Sequence, residues 1–238
     1  MPWLSPDIAL LLVTAASIGF VHTLVGPDHY LPFIALARDR GWSRLRTLRL
    51  AAICGVGHCT GSVALGVAGI ALGLGLAGLE NTEAIRGDIA AWVLLGFALA
   101  YLVYSVRVWR RGRVHSHAHV HADGTVHTHP HSHASEHSHA HAPASAKPLY
   151  VALFVIFVLG PCEALIPLLM YPAAAMNVTA VVAVAVVFSV ATVATMLAAV
   201  WLGMTGAQRF AVRLPVGASG VIAATMIGAC ASAMLLGL

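Results

Sequence analysis

Long apolar runs, each about the length of a bilayer crossing, follow one another along this chain with short polar connections between them. A bilayer core about 30 Å thick takes roughly 20 apolar residues in a helix. Six runs meet that length: Asp7 to Gly26, Leu48 to Leu79, Ile89 to Trp109, Leu149 to Pro172, Val178 to Met204 and Leu214 to Leu238. The first has no basic segment ahead of it and stays apolar through Leu24, so it reads as a retained helix rather than a signal peptide. Of the 238 residues 59% are hydrophobic and 9% charged, and the mean hydropathy is +0.86. Such a chain cannot present the solvated shell of a soluble domain. The pattern predicts an all-α polytopic membrane protein with six transmembrane helices.

Charge then orients the spans. Arg38, Arg40, Arg44, Arg46 and Arg49 follow the first run, Arg107, Arg110, Arg111, Arg113 and Lys147 the third, and Arg209 and Arg213 the fifth. The second connection, with Glu80, Glu83, Arg86 and Asp88, is net acidic, and the fourth, around Asn177, is uncharged. By the positive-inside rule the first, third and fifth loops are cytoplasmic, which places both termini outside the cytoplasmic (inner) membrane. The pI near 9.1 is thereby explained by topology, with no recognition helix for nucleic acid. Trp3, Trp92, Trp109, Tyr150 and Trp201 fall near span ends, where interfacial anchors belong. Cys54, Cys59, Cys162 and Cys230 all lie inside spans, against a secreted disulfide framework. A buried thiol usually packs as a small hydrophobe.

Shifting the chain against itself exposes an internal repeat. GPDHYLP at Gly26 to Pro32 aligns with GPCEALIP at Gly160 to Pro167, so that His29 meets Glu163. Each copy opens a set of three spans, and an odd number per set reverses the second copy in the membrane, the inverted-repeat plan of many secondary transporters. The expectation is a 3+3 inverted repeat with helices 1 and 4 broken at Gly-Pro, in three parts: a first three-helix repeat (1–110), a His-rich cytoplasmic loop expected to be disordered (111–148), and a second three-helix repeat (149–238). The loop holds His115, His117, His119, His121, His127, His129, His131, His133, His137, His139 and His141 and little that could build a core. Neutral imidazole ligates Zn²⁺, Cu²⁺, Ni²⁺ and Co²⁺, so the loop reads as a loose metal buffer; a spacer of biased composition is the plainer alternative.

Few ionisable side chains interrupt the spans. One near the bilayer centre costs on the order of 2.5–3.5 kcal/mol, and each is a functional candidate. They are His22, Asp28, His29, His58 and Glu163. Seven residues on a straight helix separate His22 from His29 by about 10.5 Å along the axis, too far to share one ion. Pro27 removes an N–H and disfavours helical torsions at Gly26, so a break there could turn His22, Asp28 and His29 towards one centre, with freed carbonyls tolerated where they line a cavity. Cys54 and His58 stand four apart on one helical face, making Cys54, and beside the second break Cys162, further candidate ligands. The bland readings are interfacial histidines, Asp28 as an N-cap, His58 bonded to a neighbouring helix, and Glu163 neutralising an arginine or relaying protons.

Together HTLVGPDHYLP, GHCTGS, the histidine-rich loop and GPCEALIP resemble the NicO nickel/cobalt transporter family and its urease-accessory-like membrane relatives, within the lysine-exporter superfamily. Permeases of this group carry a histidine followed by an Asp-His pair in an early span, a pattern His22, Asp28 and His29 match at slightly longer spacing and in six spans rather than eight. The resemblance implies movement of Ni²⁺ or Co²⁺, with Zn²⁺ a further candidate, and not an enzyme: no cofactor is held permanently. Export fits a cytoplasmic loop that gathers excess metal; uptake would hand metal to a cytoplasmic metallochaperone. With no P-loop, energy would come from an ion gradient or a partner, and an oligomer is compatible with the sequence. Two rivals are a thiol–disulfide electron carrier of the disulfide-reductase membrane-domain type, in which Asp28 would occupy the place of the second cysteine, and an exporter of sulfite or another small anion, which would call for arginine within the spans.

Overall fold

The computed structural model describes residues 6–111, 115–120, 126–131, 147–174, 176–209 and 218–237. Eight helices order the described chain: α1 (Pro6–Val25), α2 (Leu31–Arg40), α3 (Arg44–Ala71), α4 (Leu76–Arg111), α5 (Lys147–Leu159), α6 (Leu165–Ala174), α7 (Val178–Arg209) and α8 (Ala218–Leu235). Five of them, α1, α3, α4, α7 and α8, are long and apolar enough to cross a membrane; α5 and α6 are apolar but shorter. The chain is thus a multi-pass helical protein with exposed apolar side chains such as Leu10, Val13, Val186 and Val190 on the outer faces of α1 and α7, as a lipid-facing surface requires.

Two helical breaks organise the packing. After α1, Gly26 is extended and Pro27–His29 form one 3-10 turn before α2. Between α5 and α6, residues 160–164 leave the helix at Gly160-Pro161. Each break is followed by a ten-residue helix, about 15 Å long at 1.5 Å per residue, or half a bilayer core. The two helices flanking each break pack along a common third helix. Gly19 of α1 lies against Phe188 and Thr192 of α7, and Ile34 of α2 against Gly203 further along it, so α1 and α2 run beside α7 in the same direction. Gly57 of α3 touches Phe154 and Val158 of α5, and Gly66 touches Ile166 and Leu169 of α6, so α5 and α6 run beside α3 likewise. Helices α4 and α8 pack antiparallel, Gly220 at Ser105 and Gly228 at Ala98.

Lipid tails are as apolar as leucine, so helix association rests on close contact through small residues rather than on exclusion of water. Gly61 shows how close: a methyl group there would stand 2.9 Å from the Val158 carbonyl oxygen, and backbone cannot rotate away. Gly61→Ala is expected to cost about 1–3 kcal/mol, read as a lower midpoint of thermal unfolding in detergent.

At the end where α2 finishes, Asp39 accepts hydrogen bonds from Tyr101 and from Ser219 Oγ (2.7 Å), while Arg40 donates to the Tyr101 hydroxyl (2.7 Å) and lies over the Tyr104 ring. These contacts tie α2 to α4 and α8. The core falls into one cluster around Phe33, Leu36, Leu153, Val200 and Ile227 and another around Cys162, Leu165, Leu169, Val184 and Phe188.

The structure departs from the sequence expectation in two places. Glu80, Glu83, Arg86 and Asp88 are not a connection but lie within α4; the loop between α3 and α4 is only 72–75, because Glu83 and Arg86 neutralise each other inside the helix. In the His-rich segment, where composition predicts disorder, His115–Val120 and Val126–His131 are extended and pair antiparallel, with His115 opposite His131, His117 opposite His129 and His119 opposite His127. Strict alternation of histidine with small, β-branched and proline residues suits a strand's period of two. The histidines at 121, 133, 137, 139 and 141 lie outside the described residues.

Candidate metal centre

Between α1 and α2 the chain turns at Gly26-Pro27. Gly26 N–H closes the last turn of α1 on the His22 carbonyl (3.0 Å), and the N–H groups of His29 and Tyr30 bond to Gly26 and Pro27 carbonyls, both at 3.2 Å. This tight turn shortens the path between the histidines, so their rings meet edge to face with centroids 4.8 Å apart. His58, from the middle of α3, completes the group, 5.1 Å from His29 and 6.4 Å from His22. One ligand nitrogen from each of His22, His29 and His58 lies within 4.8 Å of the other two. Nitrogens sharing a tetrahedral ion at about 2.0–2.1 Å stand ~3.4 Å apart, so small side-chain rotations bring the three to bonding distance.

Hydrogen bonding selects which nitrogens face the centre. His29 Nδ1 lies 3.1 Å from the Gly26 carbonyl and 3.4 Å from Asp28 Oδ2, and His58 Nδ1 lies 3.2 Å from the Phe157 carbonyl. A carbonyl can only accept, so Nδ1 carries the proton in both rings and Nε2 presents its lone pair. Both Nε2 atoms are buried and have no hydrogen-bond partner among the described residues. Buried polar atoms are rarely left so, and two of them within one histidine cluster make it a candidate ligand site. A void of about 20 Å³ bordered by Asp28, His29, His58 and Gly160 adjoins them, and a cavity of about 890 Å³ reaches His22 and His29 past Asp28, Asp88 and Glu163.

The other sequence candidates take different places. Asp28 does not cap α2, whose N-terminal residue has no side-chain cap; it backs His29 on the Nδ1 side. Carboxylates in that position orient a metal-binding imidazole, and Asp28→Asn is expected to weaken metal binding about 10–100-fold, measurable by equilibrium dialysis with Ni²⁺. Glu163 is exposed, on the rim of the larger cavity rather than among the three nitrogens. Cys162 is buried, with Sγ 3.9 Å from His22 Nε2. Cys54 is fully buried in the apolar cluster of Phe33 and Leu153, and it is not part of the group that brings His58 to His22 and His29.

Three polar residues near the centre were not among the sequence candidates. Glu83 and Arg86 of α4 pair at 3.0 Å, with Glu83 wholly buried, and Arg86 also bonds to Ser62 of α3. Their Glu-x-x-Arg spacing, which puts both on one helical face, was the available signal.

No family model, curated protein or solved structure matches the chain.

Proposed function

We propose that this protein is a secondary transporter that moves a divalent transition metal, Ni²⁺ or Co²⁺, across the cytoplasmic membrane, with His22, His29 and His58 as the transported ion's ligands. The observation that carries this is the pair of buried, unpartnered Nε2 atoms of His29 and His58, in a group of three histidines whose ligand atoms lie within 4.8 Å of one another. Nitrogen donors of this kind suit Ni²⁺, Co²⁺ and Zn²⁺ over the hard, oxygen-preferring Mg²⁺ and Ca²⁺. The resemblance of HTLVGPDHYLP and GHCTGS to the nickel/cobalt family narrows the ion further.

In this reading α1 with α2, and α5 with α6, each make one broken crossing, giving six in all. The helix packing supports a 3+3 inverted repeat: the broken helix of each half packs along an unbroken helix of the other. Alternating access then turns on relative movement of the halves around a site at mid-membrane. The ends of α2 and α4 that carry several arginines, and the end of α7 at Arg209, face the cytoplasm, and the histidine segment gathers metal there for export. Asp28, in the place where a thiol–disulfide carrier would need its second cysteine, instead serves His29.

Intracellular Ni and Co, measured by mass spectrometry in cells with and without the protein, test the proposal. Lower metal in its presence is expected. Unchanged levels of both metals alongside altered sulfite tolerance or thiol status would overturn it, and higher levels would reverse the direction. Deletion of 115–141 should leave transport running with altered affinity.

A further inference from the structure

The two helical breaks are held in different ways. The first satisfies its backbone locally, through bonds among His22, Gly26, Pro27, His29 and Tyr30 and from the Tyr30 hydroxyl to the Leu24 carbonyl (3.2 Å). The second leaves the Gly160 carbonyl and the Cys162 N–H to be met by side chains of α4. Arg86 donates to the Gly160 carbonyl at 2.8 Å, and Glu83 Oε2 accepts from Cys162 N–H at 3.2 Å. Glu83 Oε1 and Arg86 Nε remain buried without a partner among the described residues. A buried ion pair whose desolvation is only partly offset is a poor stabiliser, so its place beside the second break points to a role beyond holding helices together.

We propose that Arg86 and Glu83 are positioning residues for the metal centre, acting on His58 through the second break. The connection is short and physical. Gly160 N–H and His58 Nδ1–H both donate to the Phe157 carbonyl, at 3.1 and 3.2 Å. Gly160 also packs so closely that a methyl group on it would lie 3.2 Å from His58 Nδ1. By pinning the Gly160 carbonyl, Arg86 fixes the last turn of α5, and that turn fixes the ring orientation and tautomer that point His58 Nε2 at the centre. Glu83 holds Arg86 in place and anchors the chain beyond Pro161. Ser62, Gly160 and Glu83 all lie on one guanidinium nitrogen of Arg86, Nη2, whose N–H groups they share.

This proposal rests on the reading of His22, His29 and His58 as a metal centre, and one experiment separates the two. The full chain in detergent is titrated with Co²⁺ and followed by visible absorption, with His29→Ala as the blank for metal held elsewhere. Arg86→Ala is expected to weaken the His29-dependent signal about 10–100-fold. Because Arg86 acts through His58, the double variant His58→Ala/Arg86→Ala should bind no more weakly than His58→Ala alone. Should Arg86→Ala fail to fold, Arg86→Lys serves in the same cycle, with a smaller loss that again vanishes in the His58→Ala background. Wild-type affinity in the Arg86 variants, or losses that add fully to that of His58→Ala, would overturn the positioning role. Wild-type binding by His29→Ala would instead sink the metal centre itself.

Discussion

Replacing His29 with alanine should abolish metal transport and lower Ni²⁺ affinity by more than the 10–100-fold typical of losing a group that merely orients a ligand. His29 is the hinge of the group. Its ring is closer to His22 and to His58 than those two rings are to each other, 4.8 and 5.1 Å against 6.4 Å. Without it, His22 and His58 are left in nearly parallel planes, 12° apart, with their middle partner gone. The substitution removes a buried Nε2 that has no partner together with the Nδ1 that meets Gly26 and Asp28; the Gly26 carbonyl keeps the backbone N–H of residue 29 and Asp28 borders the large cavity, so the protein should still insert and fold. Equilibrium dialysis with Ni²⁺, set beside thermal unfolding of the same preparation, separates the two effects. Normal metal binding by a folded His29→Ala chain would contradict the assignment.

Gly26→Ala should be nearly as damaging to the site, although alanine is otherwise a mild change. Gly26 has φ −82° and ψ 93°, torsions open to any residue, so the backbone does not require glycine. What requires it is space: a methyl group would stand 2.6 Å from His29 Nδ1 and 2.9 Å from Asp28 Oδ1. The imidazole can escape only by rotating out of the position that points Nε2 at the centre. The expected outcome is metal affinity reduced at least 10-fold, the scale on which losing the orientation of a ligating histidine is felt, with the unfolding midpoint little changed. Retention of wild-type affinity would show that His29 does not bind in this orientation.

The part of the site that could be read in the sequence was marked by local chemistry. Gly26-Pro27 announced a break between two histidines that a straight helix would hold apart, and His58 stood out as an imidazole in an apolar run. Cys54 shows the limit of that reasoning. Residues four apart share a helical face only approximately, and the face that turns His58 to the centre leaves Cys54 packed in the apolar cluster. Glu163 aligns with His29 in the repeat, but the turn after Pro161 sends it to the cavity rim. Glu83 and Arg86 were hidden for the opposite reason. Charges close together between two apolar runs resemble a loop, and it takes the pairing of Glu83 with Arg86 together with the tertiary neighbours of α4, the Gly160 carbonyl and the Cys162 N–H, to explain why such residues can sit inside a helix.

If three imidazoles bind the transported ion, the coordination shell of the bound metal must contain them. X-ray absorption on Ni²⁺ bound to a variant lacking 115–141, so that loop histidines do not contribute, would report that shell. The expected result is one ion per chain with three imidazole nitrogens at about 2.0–2.1 Å, reduced by one nitrogen when His58 is replaced. A shell of oxygens alone, or one dominated by sulfur at about 2.3 Å, would contradict it.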